Sequence, residues 1–173
     1  MAPSPLTTYL NDHLAGSTGA IELMEHAIVR DEGDPLARFL SDLLPEIRAD
    51  QDVLREILLR VGGEPSTAKK AVAWLGEQLS RVKRDAPGTS DGREAALGRL
   101  TEFEIVALGI LGKRGLWTAL RQIAGADARL TGVDFPRLIQ RAEHQFTLVE
   151  HQRLLLAESA LIASGSEAHS ANG

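Results

Sequence analysis

The 173-residue chain contains no cysteine. This absence excludes disulfides, thiolate metal sites, iron–sulfur clusters and cysteine nucleophiles. Positive charge is also in short supply, because 19 Lys and Arg stand against 24 Asp and Glu, which gives a net charge of −5. A nucleic-acid-binding protein is therefore disfavoured, since no basic surplus is available to neutralise phosphates.

Long apolar runs are missing as well. No stretch approaches the roughly 18 uncharged apolar residues that a transmembrane helix needs. The first residues, MAPSPLTTYLNDH, lack the basic start and the apolar core of a secretory signal peptide. These absences predict a cytoplasmic protein without a transmembrane segment. The chain also lacks a Walker loop and a G-x-G-x-x-G fingerprint, so the sequence does not name a reaction.

What the sequence does contain is helical periodicity. Apolar residues recur at helical spacing in four long segments, at about 5–30, 35–61, 93–124 and 135–163. Three of these segments begin with a capping residue and an early proline, namely Ser4-Pro5, Asp34-Pro35 and Asp134 with Pro136. Pro45 lies inside the second segment and is expected to kink it or divide it in two.

The apolar stripes predict which residues face the core. On the first helix the predicted stripe is Leu6, Leu10, His13, Ser17, Ala20/Ile21, Met24 and Ile28. On the second it is Leu36, Leu40, Leu43, Ile47, Asp50, Leu54, Ile57 and Val61. On the third it is Leu97, Leu100, Glu104, Leu108, Leu111, Gly115 and Ala119. The sequence thus predicts an all-α bundle of four helices whose apolar stripes face inward.

The connection between the second and third long helices is itself informative. Residues 66–85, STAKKAVAWLGEQLSRVKRD, predict a short basic amphipathic helix, and residues 86–92 predict a loop. The short helix is expected to cover the bundle, and contact with a membrane surface or a partner is the alternative. Such a long crossover would make the second and third long helices parallel. One domain is expected over 1–164, followed by a disordered tail at 165–173.

Four stretches, one from each long helix, are informative together: LNDHLAGSTGAI, DVLREILLRVGGEP, LGILGKRGLWTAL and AEHQFTLVEHQRL. They resemble the helices of the ferritin-like superfamily, bacterioferritin and rubrerythrin in particular. The resemblance implies a ferritin-like four-helix bundle with a long helical crossover between helices 2 and 3. The family binds two irons through a Glu from each of two helices and a Glu-x-x-His from each of the other two. Aligned on that pattern, the ligand positions fall on Ser17, Ile47, Asp50, Gly109, Ala142 and Gln145.

Asp50 is the one carboxylate among these six positions, so the resemblance implies that the usual di-iron site is degenerate. The function expected on this basis is non-catalytic: a structural, interaction or small-ligand-binding role, linked to stress by family analogy. No cofactor is expected, while a homodimer or a protein partner is. A third interpretation is a bundle opened near Ser17 and Gly109 to hold an apolar ligand, so that this level is either closed up or hollow.

The alternative is a di-iron protein of iron storage or oxidation whose ligands are displaced. Its weak metal candidates are His13, Asp50, Glu104, Glu143 and His144. Each also has a structural interpretation. His13 is expected to be a hydrogen-bonded core or end-layer histidine, and Asp50 to pair with an arginine or water. His144 and His151 lie two turns apart, about 10 Å, which is too far for one ion. A solvated edge or an interface edge is expected there.

Overall fold

The computed structural model describes residues 4–65 and 92–162. Its four α-helices are α1 (Pro5–Arg30), α2 (Pro35–Arg60), α3 (Gly92–Ile123) and α4 (Phe135–Leu161), with a short 3-10 helix at Ala128–Leu130 before α4. These ranges contain no strand, which confirms the all-α class. Among the same residues, no helix has the length and apolarity to cross a membrane. The predicted crossover helix (66–85), most of its loop and the tail at 165–173 lie outside the described residues.

The three predicted helix starts are capped as their sequences indicate. Ser4 Oγ accepts the Thr7 N–H at 3.1 Å, and Asp34 Oδ1 accepts the Leu36 N–H at 2.8 Å. Asp134 Oδ1 likewise accepts the Arg137 N–H at 3.0 Å. These bonds satisfy amide groups that have no partner inside the helix.

Pro45 does not divide α2, which is continuous from Pro35 to Arg60. The predicted division of the helix is therefore wrong. The residues on both sides of the proline, Leu43, Leu44 and Ile47, are buried. Their packing outweighs the one backbone hydrogen bond that proline cannot make.

Ion pairs between helices show how the helices run. Arg99 near the start of α3 pairs with Asp34 at the start of α2, and Lys113 farther along α3 pairs with Asp50 farther along α2. Helices α2 and α3 are therefore parallel. The short turn at 31–34 makes α1 antiparallel to α2, and the connection at 124–134 makes α4 antiparallel to α3.

A network of charges joins the α1–α2 turn to the start of α3. Arg30 donates to both carboxylate oxygens of the buried Glu102, at 2.5 and 2.8 Å. Asp31 accepts from Arg30 at 2.6 Å and from Arg99 at 2.8 Å. Burial raises the pKa of Asp31, but the two guanidinium groups outweigh burial, so the net pKa lies below its ordinary value.

The buried face of α3 differs from the prediction. Leu97, Leu108 and Leu111 are exposed, so the predicted stripe on this helix is wrong. Leu100 of that stripe is buried, and the other core residues of this helix lie off the stripe: Phe103, Val106, Ala107, Ile110, Leu116, Trp117 and Leu120. The cause is that α3 carries apolar side chains on two faces, and packing against the other helices selects one of them.

The buried faces of α1 and α2 were predicted more closely. On α2 every residue of the predicted stripe is buried except the half-buried Leu36. On α1, however, His13 and Ser17 are only half-buried. Leu14 and Leu23, which lie off the predicted stripe, are buried in the core. Helix α1 is therefore rotated away from the orientation that would point His13 and Ser17 at the bundle axis.

Two neighbouring leucines at the end of α2 test this core assignment. Leu58 is 0% and Leu59 58% exposed. Leu58→Ala should lower the free energy of unfolding by about 2–5 kcal/mol, because it removes buried methyl groups and leaves a cavity. Leu59→Ala, which has the same change in helix propensity, should cost about 0.5 kcal/mol or less. Urea unfolding measures both, and equal losses would contradict the packing described.

Candidate functional site

A cavity of about 520 Å³ lies between α1, α2 and α3. Two of its lining residues, Tyr9 and Leu108, are exposed, so the cavity reaches the surface between α1 and α3. Its wall is mainly apolar and includes Met24, Ile47, Leu54, Ile105, Ile110, Leu116 and Trp117. Its volume falls within the roughly 300–1,000 Å³ of ordinary small-molecule pockets.

Small residues leave this space open. A Cβ atom added at Gly16 or Gly112 would meet no atom within 4 Å, and one at Gly109 would meet only Ala20 Cβ, at 3.9 Å. Ser17 lines the same cavity and donates its hydroxyl to the Leu14 carbonyl at 2.7 Å. The level of Ser17 and Gly109 is therefore hollow rather than closed.

An ionic cluster lies at the inner wall of the cavity, which two of its members, Asp50 and Lys113, line. Asp50 is 1% exposed, and its Oδ2 lies 2.5 Å from Lys113 Nζ. Arg141 donates to the other carboxylate oxygen of Asp50. Gln145 accepts from Lys113 through Oε1 and donates to Glu46 at 3.0 Å. The arginine partner predicted for Asp50 is thus confirmed, and Lys113 is a second cation on the same carboxylate.

The electrostatics of this cluster follow from burial. Desolvation lowers the pKa of the Lys113 ammonium, and the nearby Arg141 guanidinium also lowers it. The Asp50 carboxylate acts in the opposite direction and keeps the cation paired. Both oxygens of Asp50 are bound to cations, so a metal ion at Asp50 would compete with Lys113 and Arg141.

The six positions aligned with the di-iron ligands come together only in part. Asp50 and Gln145 touch, with Gln145 Nε2 3.3 Å from Asp50 Oδ2. Ile47 and Ala142 are buried apolar residues one turn earlier on the same two helices. Ser17 and Gly109 line the cavity. At this height of the bundle, the side towards α4 is therefore polar, because Asp50 and Gln145 lie there. The side towards α1 is open space, because Ser17 and Gly109 line the cavity.

The weak metal candidates lie apart from one another. Glu104 is exposed and pairs with Arg153, while Glu143 is exposed and pairs with Arg114. His144 is exposed, as is His151, in keeping with the solvated edge predicted there. Across 4–65 and 92–162, no three His, Cys, Asp or Glu side chains lie close enough together to hold a metal ion.

His13 is the candidate that lines the cavity together with Asp50. It is half-buried, and its ring packs edge-on against Tyr9 with 4.6 Å between ring centroids. Burial lowers the pKa of His13, and the neighbouring Asp12 carboxylate partly offsets this effect. The imidazole is therefore biased towards its neutral form at the cavity wall.

Sequence reasoning does not single out Lys113, Trp117 or Arg141. The first two lie on the face of α3 that the predicted stripe missed. A signal for them does exist, because Val106, Ile110, Lys113 and Trp117 are spaced by four, three and four residues, as one helix face requires. No sequence pattern distinguishes Arg141 from the other arginines. Only the packing of α4 against α2 brings it to Asp50.

Comparisons with known proteins do not assign a function to this site. No family model, curated protein or solved structure matches the chain. Any functional conclusion therefore depends on the cavity, the ionic cluster and the resemblance in sequence.

The coupling within the ionic cluster is testable by a double-mutant cycle. Asp50→Asn should lower the free energy of unfolding by about 3 kcal/mol, because it leaves the Lys113 and Arg141 cations without their carboxylate. Lys113→Met should lower it by less, because Arg141 still pairs with Asp50. The double variant should lose less than the sum of the two by about 1 kcal/mol or more. Urea unfolding measures all three.

The exposed pair Arg114–Glu143 joins the same region of α3 to α4 and serves as the control. Arg114→Met should cost well under 1 kcal/mol, because exposed ion pairs contribute little. Strict additivity between Lys113→Met and Asp50→Asn would show that the buried groups do not depend on each other, contrary to the contacts described.

The lowered pKa of His13 has a defined consequence for stability. As pH falls through 6.5, the ordinary value, the unfolded chain takes up the proton before the folded protein does. His13 therefore lowers stability on acidification, and its effect is complete once the pH is below the folded pKa. NMR titration should give a value under 6.5. Asp12→Asn should lower it further, and a value above 6.5 would contradict the burial described.

Proposed function

We propose that this protein is a non-catalytic ferritin-like bundle that binds a small apolar molecule in the cavity between α1, α2 and α3, where a di-iron centre would otherwise lie. One observation carries the proposal. The cavity occurs at the level of Ser17 and Gly109, which are the positions aligned with two of the family's glutamates, and its wall is mainly apolar.

The arrangement of the helices supports the ferritin-like part of the proposal. Helices α2 and α3 are parallel, as a long crossover between them requires. The other pairs of consecutive helices, α1 with α2 and α3 with α4, are antiparallel hairpins. In a bundle connected by short loops alone, all consecutive helices would be antiparallel.

The chemistry of the inner wall supports a role without metal. Iron would have to displace Lys113 or Arg141 from Asp50, and the displaced cation would then remain partly buried beside it. Restoring the Glu-x-x-His pair at positions 142 and 145 of α4 would leave Asp50 paired with these cations. The variant Ala142→Glu/Gln145→His is expected to bind no iron by itself, because the other helices still offer no ligand set.

An apolar guest is favoured by the shape and the lining of the cavity. Apolar surface removed from water contributes roughly 25 cal/mol per Å², and both the cavity wall and the ligand would lose such contact with water. Apolar cavities of sufficient size bind apolar guests for this reason.

Cavity filling provides the direct test, with two glycines on α3 as a matched pair. Gly112 lines the cavity and Gly115 does not, and an added Cβ meets open space at both. The neutral fluorophore N-phenyl-1-naphthylamine should bind the unmodified protein. Gly112→Leu should weaken binding by about tenfold or more, equivalent to about 1.4 kcal/mol, whereas Gly115→Leu should leave it unchanged. Absence of binding, or equal effects of the two variants, would contradict the proposal.

The di-iron alternative makes the opposite prediction. Protein purified from iron-supplemented medium is expected to contain far less than one iron per chain by elemental analysis. About two irons per chain, the content of an intact site of this family, would overturn the non-catalytic interpretation, and loss of that iron in Asp50→Asn would locate the site.

A further inference from the structure

Trp117 has an unmet hydrogen bond beside the cavity. Its side chain is fully buried and lines the cavity. Its indole Nε1 is also buried and finds no acceptor in the described part of the chain. A buried N–H without an acceptor is costly, and native proteins rarely keep one without a purpose.

Lys113 has a similar surplus one turn earlier on α3. An ammonium group carries three N–H donors, and Lys113 uses two of them, on Asp50 and on Gln145. Within 4–65 and 92–162 no acceptor is found for the third. Lys113 and Trp117 are four residues apart, hence on the same helix face and about 6 Å apart along the axis. Both line the cavity.

Lys113 also brings positive charge to the inner wall of the cavity. Its ammonium pairs with Asp50, which Arg141 binds as well. The carboxylate of Glu46, which accepts from Gln145, also raises the pKa of Lys113. In surroundings of low dielectric constant, an ammonium group on the cavity wall attracts an anion.

We infer that the molecule bound in the cavity is an apolar monocarboxylate whose head group is held by Lys113 and Trp117. This inference rests on the proposed function of the cavity and adds the chemical class of the ligand. The carboxylate oxygens accept from the third Lys113 N–H and from the Trp117 indole N–H. The hydrocarbon part contacts Met24, Leu54 and Ile105 on the cavity wall.

The distribution of charge along the cavity fixes the orientation of the ligand. Asp12 is exposed and lies on the lining beside Tyr9, at the side where the cavity opens. A carboxylate placed there would be repelled by Asp12, whereas at the inner wall the charge of Asp50 is offset by Lys113 and Arg141. The head group therefore enters first, and the apolar tail extends towards Tyr9 and Leu108.

Two probes of equal chain length test the head group. Decanoate and decanol should both displace N-phenyl-1-naphthylamine, and decanoate should bind about tenfold more tightly or better. If decanol binds as tightly as decanoate, the carboxylate is not recognised and this inference is overturned, while the proposed apolar site stands. If neither compound displaces the fluorophore and the fluorophore itself does not bind, the proposed function fails.

The role of the two donors is tested separately. Trp117→Phe removes the indole N–H but keeps an aromatic ring, so it should weaken decanoate binding by about threefold to tenfold and leave decanol nearly unchanged. Equal losses for both probes would assign Trp117 a packing role and contradict the contact. Lys113→Met should abolish the preference for decanoate, and circular dichroism checks that the variant is folded.

The unmodified protein provides a measurement that does not depend on any variant. With decanoate labelled with ¹³C at the carboxyl carbon, NMR reports the pKa of the bound head group. A neighbouring ammonium should lower this pKa below its value in free solution, whereas an apolar surrounding alone would raise it. A raised value would overturn the placement of the head group beside Lys113.

Discussion

The buried carboxylate of Asp50 is the constraint on which the middle of this bundle depends. A charge removed from water must be neutralised, and here Lys113 of α3 and Arg141 of α4 both bind it. One carboxylate on α2 thereby determines which residues of α3 and α4 lie at the same level. Hydrophobic packing alone specifies such a level less sharply, because leucines tolerate small shifts along a helix.

Helix α1 takes no part in this cluster, and that explains the position of the cavity. It is held at mid-height by Gln51 of α2, which donates to Ser17 at 2.9 Å and to Thr18 at 3.2 Å. It is held at its end by the contact of Arg30 with Glu102 of α3. Near the Ser17 attachment α1 and α3 carry small residues at the cavity, among them Gly16, Ala20 and Gly109, and the space there stays open.

This arrangement gives physical meaning to the six positions aligned with the di-iron ligands. On α2 and α4 two of them are occupied by Asp50 and Gln145, which remain in contact and share Lys113 as a common partner. On α1 and α3 two of them are occupied by Ser17 and Gly109, which leave space. In the proposed function, the Lys113 ammonium supplies positive charge beside Asp50 and Gln145. A bound ligand fills the space beside Ser17 and Gly109.

The sequence by itself determined the helices. Caps and prolines at Ser4, Asp34 and Asp134 predict three helix starts, because capping is a local interaction between residues a few positions apart. The buried stripe of α2 was also predictable, since that helix is apolar on one face and charged on the other. A need for a partner at Asp50 followed from the same pattern, because a carboxylate in an apolar stripe cannot stay unpaired.

Only the tertiary structure decided which face of α3 is buried and which cations meet Asp50. Helix α3 has leucines on two faces, so its periodicity fits two orientations equally well. The choice between them depends on how all the helices pack, and it places Lys113 on the inner face of α3 and leaves Leu108 exposed. The cavity is likewise a property of the packed helices, because glycines such as Gly16 and Gly112 leave open space only where no neighbouring side chain fills it.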